Sequence, residues 1–80
     1  MALTPEACRA GRALLGWSMR DLVEMAGVSL GAVNRLEGGA TASRDATAAK
    51  ILAAFAAHGV DVTADADKTG AVLVYARRAG

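Results

Sequence analysis

The fold is decided by residues 17–38, which run WSMRDLVEMAGVSLGAVNRLEG. Ser18 is a favoured N-cap residue, and Asp21 three positions later resembles the acidic partner of a capping box. The same pattern returns at Ser29, so two short helices are predicted, and Gly27 ends the first of them. A turn of only a few residues therefore joins the two helices.

The apolar residues of these two predicted helices are spaced so that they face each other, with Leu22, Val23 and Ala26 opposite Val33 and Leu36. The second helix is expected to end at residue 37, and its other side points outward. An exposed second helix of such a pair fits the major groove of DNA, which is about 12 Å wide, and Asn and Arg suit the edges of adenine and guanine. The residues expected to contact bases are Ser29, Leu30, Gly31, Asn34 and Arg35.

Helices are also predicted on both sides of this pair. Thr4 followed by Pro5 is a typical helix start, and that helix should end at Leu15. An alanine-rich helix is expected over residues 44–58, because its apolar residues recur at helical spacing. The residues expected to face the core are Ala7, Ala10, Gly11 and Leu14 in the first helix and Ala48, Ile51, Leu52 and Phe55 in the last.

After Gly59 the pattern changes to β-branched residues. Strands are predicted at residues 60–63 and 71–76, on either side of a segment whose Asp, Lys and Gly residues suit a turn. The chain is thus expected to be mainly α, with a helix-turn-helix domain at residues 1–59 and a C-terminal pair of β-strands at residues 60–80.

The composition narrows the class of protein. Of the 80 residues 20 are alanine, one is cysteine, and the net charge is +1. These features predict one helical domain with neither a disulfide nor a metal or other cofactor. Neither a membrane-length apolar run nor a signal-peptide pattern occurs, so a cytoplasmic protein without a membrane partner is expected. Catalysis is not expected, because Cys8 would need a base and only His58 is present; a packed small apolar side chain is the better interpretation of Cys8.

Residues 8–60 resemble the Cro/repressor, or XRE, family of helix-turn-helix regulators. The resemblance is carried by GWSMRDL at 16–22, AGVS at 26–29 and VNRLEG at 33–38, followed by an apolar spacing up to Val60. It implies a lambda-repressor-like bundle of four or five helices, from bacteria or phage. It also implies a transcriptional repressor or activator that binds a palindromic double-stranded DNA operator as a homodimer.

The resemblance further implies roles for single residues. Arg12 is expected to pair with Glu37, the alternative being two solvated charges. Met19 and Leu30 stand where the family commonly has a polar pair, which indicates an apolar contact in its place and puts Leu30 near a thymine methyl group. The candidates for phosphate contact are the backbone N–H groups at Ser18 and Met19, together with the side chains of Arg20 and Arg44.

The second predicted strand is apolar on both faces, since Val72 and Val74 point one way and Leu73 and Tyr75 the other. One face can cover the helices, whereas the second face or the open strand edge needs a partner. These four residues therefore predict a homodimer through the C-terminal strands. The alternative is a monomeric hairpin folded against the long helix.

A second function stays open at this point. The low net charge and the apolar residues at Met19 and Leu30 favour a protein-interaction module on the same fold, such as an antitoxin or an anti-activator with another regulatory protein as its partner. Asn34 and Arg35 on the outward side favour DNA.

Overall fold

Four helices and one β-hairpin make up the part of the chain that the structure describes. The structure is a computed structural model, and it describes residues 2–39, 42–64 and 69–73, with the backbone alone at Ala64, Val72 and Leu73. The elements are α1 (Pro5–Leu15), α2 (Met19–Ala26), α3 (Leu30–Gly38), α4 (Ala46–Ala57), β1 (Val60–Ala64) and β2 (Thr69–Leu73).

Local hydrogen bonds set the starts of α1, α2 and α3 where the sequence predicts them. The Thr4 hydroxyl accepts from the Ala7 N–H at 3.0 Å. The capping box before α2 is confirmed: the Asp21 N–H donates to Ser18 Oγ at 3.1 Å, and the Ser18 N–H donates to Asp21 Oδ2 at 2.9 Å. The turn to α3 passes through Gly27, whose φ of 68° lies in the left-handed region that glycine adopts without strain. This geometry allows α3 to turn back onto α2.

The helix α4 begins two residues later than predicted. Its N-cap is Asp45, whose carboxylate accepts from the Ala48 N–H at 2.9 Å, so Arg44 lies before the helix. An aspartate satisfies a free first-turn N–H group, which an arginine cannot do. The helix ends at Ala57, and His58 is its C-cap.

The core side of α1 differs from the prediction. Ala7, Cys8 and Gly11 are buried, but Leu14 is 41% exposed. The buried row follows i, i+4 spacing and therefore continues to Leu15, which packs against the core. Ala10 is only half-buried.

The core is formed by side chains from all four helices, from the N-terminal segment and from β1. Its fully buried members include Leu3, Leu22, Ile51, Phe55 and Val60, the last of which begins β1. Because Val60 and Val62 belong to the same buried cluster as the helices, β1 completes the core of residues 1–59. Leu52 is half-buried and packs against this cluster.

The two strands form an antiparallel pair within the chain, with Val60 opposite Leu73 and Ala64 opposite Thr69. The hairpin packs against α1, and β1 also contacts α4. The second strand begins at Thr69, two residues before the predicted start, and the Thr69 hydroxyl is hydrogen-bonded to that of Thr4. Of the residues predicted to form a dimer, Val74 and Tyr75 lie outside the described residues, and only the backbone is described at Val72 and Leu73.

Candidate nucleic-acid interface

The helix α3 is held on the core by one side. Val33 is fully buried, and Ala32, Leu36 and Glu37 have less than a tenth of their surface exposed. Leu22 of α2 is also fully buried and lies in the same cluster as Val33 and Leu36. Val23 and Ala26 of α2 are half-buried and pack against this cluster, so the two short helices turn the predicted sides inward.

The opposite side of α3 is open. All five residues that the sequence places outward are exposed, namely Ser29, Leu30, Gly31, Asn34 and Arg35. The Ser29 hydroxyl is already used by the fold, since it accepts from the Ala32 N–H at 3.1 Å as the N-cap of α3. Its O–H hydrogen remains able to donate to a ligand.

The guanidinium of Arg35 lies back over the first turn of α3. Its Nη1 is 3.8 Å from the position that a Cβ atom would take at Gly31. Because Gly31 has no side chain, it presents only backbone to this guanidinium. A cation and an open backbone surface therefore adjoin each other near the start of α3.

The phosphate candidates have different surroundings. Arg20, Arg44 and Ser18 are exposed. The Ser18 N–H is occupied by Asp21 in the capping box and is not available to a phosphate, a correction to the sequence-based expectation. The N–H of Met19 begins α2 and has no partner within its own helix. The Met19 side chain packs against the core, whereas Leu30 is exposed.

An ion pair ties α1 to the end of α3. Arg12 Nη2 lies 2.7 Å from Glu37 Oε1, and Arg12 Nε donates to Glu37 Oε2, also at 2.7 Å. The Glu37 side chain is only 3% exposed and that of Arg12 19%, so these are not two solvated charges. Arg12 Nη1 also donates to the Trp17 carbonyl oxygen at 3.1 Å, which links this pair to the residue before the N-cap of α2. The guanidinium thereby connects both short helices to α1.

Two more side chains of α1 meet Glu37, and the sequence-based reasoning missed both. The Cys8 thiol donates to Glu37 Oε2 at 3.1 Å, and Arg9 Nη1 donates to the Glu37 carbonyl oxygen at 2.6 Å. The contact of Cys8 with Glu37 could have been expected from the pairing of Arg12 with Glu37, because Cys8 and Arg12 are four residues apart and share one side of a helix. We call Cys8, Arg12 and Glu37 the buried cluster.

The electrostatics of the buried cluster keep Glu37 charged and Cys8 neutral. Burial acts to raise the pKa of Glu37, but the hydrogen bonds from Arg12 and Cys8 outweigh it, and the net pKa is lowered. The pKa of Cys8 is raised by burial and by its hydrogen bond to the Glu37 carboxylate. The thiol is therefore a hydrogen-bond donor at neutral pH and a poor nucleophile.

An open groove lies between the end of α3 and the start of α4, with Arg35, Leu36, Arg44 and Asp45 among its lining residues. The pKa of Asp45 is lowered, chiefly by the N–H group of Ala48 that it caps and to a smaller extent by the charge of Arg35. This carboxylate contributes negative charge at the groove, with two arginines beside it.

Within the described ranges, no group of three or more His, Cys, Asp and Glu residues is arranged to hold a metal ion. The helices in this part of the chain are all too short or too polar to cross a membrane. Comparison with known proteins gives no match, either to a protein family or to a curated protein sequence.

Proposed function

We propose that the protein is a sequence-specific DNA-binding regulator that inserts α3 into the major groove. One observation carries this proposal: five outward residues of α3 are all exposed, while the other side of the helix is anchored by buried apolar residues and by Glu37. A recognition surface must be rigid as well as accessible, because a mobile helix would lose binding energy to ordering. The bidentate pair with Arg12 supplies that rigidity at the end of α3.

Asn34 and Arg35 are the base-reading residues in this proposal. An Asn side chain can bind the N6 and N7 atoms of adenine, and an Arg side chain can bind O6 and N7 of guanine, in both cases through two hydrogen bonds. Arg35 takes part in no salt bridge with another described residue, and its side chain is exposed. Its donors are thus accessible to a base edge.

Phosphate contacts would come from the elements that precede and follow α3 in the chain. Arg20 lies in the first turn of α2, and Arg44 lies just before α4; both are exposed. The free N–H of Met19 is at the positive end of the α2 dipole, where an anion is stabilised. Such contacts position a protein on the duplex without reading its sequence.

The proposal includes a homodimer on a palindromic operator. One recognition helix contacts too few base pairs for useful specificity, so proteins of this kind bind two half-sites about 34 Å apart. The strand pair formed within the chain leaves the outer strand edges as the candidate dimer surface.

The test is selection of duplexes from a random library by the full chain, followed by affinity measurements on the selected duplex and on a scrambled duplex at several salt concentrations. We expect the affinity for both duplexes to fall as the salt concentration rises. The selected duplex should bind at least about 10³-fold more tightly than the scrambled one, since specific binding usually exceeds non-specific binding by about 10³–10⁷. Failure to enrich any sequence would refute the proposal.

Arg35→Ala is the critical variant, and Lys50→Ala is its charge-matched control, since Lys50 is an exposed cation of α4 without an assigned role. Arg35→Ala should cost about 1–3 kcal/mol on the selected duplex and much less on the scrambled one. Lys50→Ala should change both affinities equally. An equal loss on both duplexes with Arg35→Ala would make Arg35 a phosphate contact.

A protein-interaction module is the second candidate, and the exposure of two large apolar side chains on α1 and α2 favours it. Leu14 is 41% exposed near the end of α1, and Met25 is 53% exposed near the end of α2. If these residues dock a regulatory protein, the chain should bind that partner with little salt dependence and show no preference among duplexes. The selection experiment therefore separates the two functions.

A further inference from the structure

Leu30 is a large apolar side chain that the core does not use. It is 37% exposed at the first position of α3, although Ala32 and Val33 nearby are buried. Leu14 and Met25 are also exposed, but among the large apolar residues described only Leu30 lies on the outward side of α3. A partner that covers this side of α3 must therefore accommodate one aliphatic group.

The surroundings of Leu30 indicate the chemistry of that partner. Gly31 has no side chain, and the Arg35 guanidinium lies 3.8 Å from its Cβ position. An aliphatic group, open backbone and a cation thus adjoin each other over one helical turn. The cation is complementary to a polyanion, and the only apolar group on a base edge in the major groove is the C5 methyl of thymine.

We infer that Leu30 is a specificity-determining residue that packs on the C5 methyl group of a thymine, beside the base pair that Arg35 contacts. This inference rests on the proposed DNA binding. It predicts a thymine at a fixed position of each half-site, where a uracil in place of thymine binds more weakly because it lacks only the methyl group.

The experiment uses the full chain and the duplex that it selects. Each thymine is replaced in turn by deoxyuridine, which keeps every hydrogen-bonding group and lacks only the methyl. At one position of each half-site we expect affinity to fall about fourfold, which corresponds to roughly 0.8 kcal/mol for one buried carbon group. Leu30→Ala should bind the thymine duplex more weakly and no longer distinguish thymine from deoxyuridine at that position.

Met25→Ala is the matched control, because it shortens another exposed apolar side chain and should keep the full thymine preference. Thermal unfolding of both variants checks that the fold is retained. If the native chain binds its selected duplex and no deoxyuridine substitution weakens binding, or if Leu30→Ala keeps the preference, the inference is wrong and the DNA-binding function stands. If no duplex is selected, both are wrong.

Discussion

Gly11 is the position where α1 approaches the core most closely, and replacing it with alanine should destabilise the protein. A Cβ atom at Gly11 would lie 2.6 Å from Phe55 Cε2, 2.7 Å from Cζ and 3.0 Å from Cδ2. Carbon atoms in good contact are about 3.5–4.0 Å apart, so the ring would have to move by roughly 1 Å. Phe55 is fully buried and packs beside Trp17, with ring centroids 6.1 Å apart, so that movement is resisted.

The expected change in the free energy of unfolding for Gly11→Ala is the difference between two opposing contributions. Overpacking a core costs about 1–3 kcal/mol. The Cβ atom would be closer than normal van der Waals contact to three atoms of the Phe55 ring, so Gly11→Ala should fall in the upper part of that range. Alanine in a helix regains about 1 kcal/mol relative to glycine. The net loss should be about 1–2 kcal/mol, which lowers the melting temperature by roughly 4–16 °C in a domain of this size.

The assay is thermal and urea unfolding followed by circular dichroism. Gly38→Ala is the matched control, because Gly38 is also helical and nothing lies within 4 Å of its Cβ position. Gly38→Ala should leave the free energy of unfolding unchanged or raise it slightly. Combining Gly11→Ala with Phe55→Leu should cost less than the sum of the two single changes, since the clash is removed. A Gly11→Ala protein that melts at or above the native temperature would show that the ring moves without cost and would refute the reasoning.

The buried cluster supports two more predictions. Glu37→Ala should destabilise the protein by about 3 kcal/mol in urea unfolding, because Arg12 would lose its carboxylate partner. This value is at the low end of the range for a broken buried pair, since Arg12 is partly exposed. A loss below about 1 kcal/mol would mean that the pair behaves like an exposed one. The pKa of Cys8 is raised in the folded state, so its contribution to stability is fully present below the ordinary thiol pKa of about 8.5 and is lost as the pH rises above that value. Unfolding free energies measured from pH 7 to alkaline pH should therefore fall more steeply for the native chain than for Cys8→Ala; parallel curves would contradict this. Together with the variants of Arg35 and Leu30, these measurements test the fold and the proposed interface separately.

Much of the candidate interface could be predicted from the sequence because the interactions that position its residues are local. Each N-cap bond joins residues three positions apart, so Thr4, Ser18 and Ser29 identify helix starts without knowledge of the tertiary structure. The outward side of α3 follows from helical periodicity once Val33 and Leu36 are assigned inward. The N-cap of α4 at Asp45 could have been predicted from the same kind of signal, since an aspartate before an alanine-rich run is a typical cap.

Other features depend on contacts between distant residues. Helical periodicity alone allowed either Leu14 or Leu15 to continue the buried side of α1, and the packing of α1 against its neighbours selected Leu15. The Arg12–Glu37 pair was expected only through a resemblance to a family, and the Cys8 thiol in the same cluster was not expected at all. Helical spacing places Cys8 beside Arg12 on α1, but it carries no signal that relates either side chain to Glu37, 29 and 25 residues further along the chain.

By itself the sequence determined the helix-turn-helix pair and the five residues on its outward side, because caps, glycine turns and periodicity act over a few residues. Only the tertiary structure decided how that pair is held. It brought the Glu37 carboxylate within hydrogen-bonding distance of Arg12 and Cys8, placed Phe55 against Gly11, and packed the β-hairpin on α1. The physical reason is that burial and ion pairing depend on which surfaces meet, and that is settled by the packing of the whole chain.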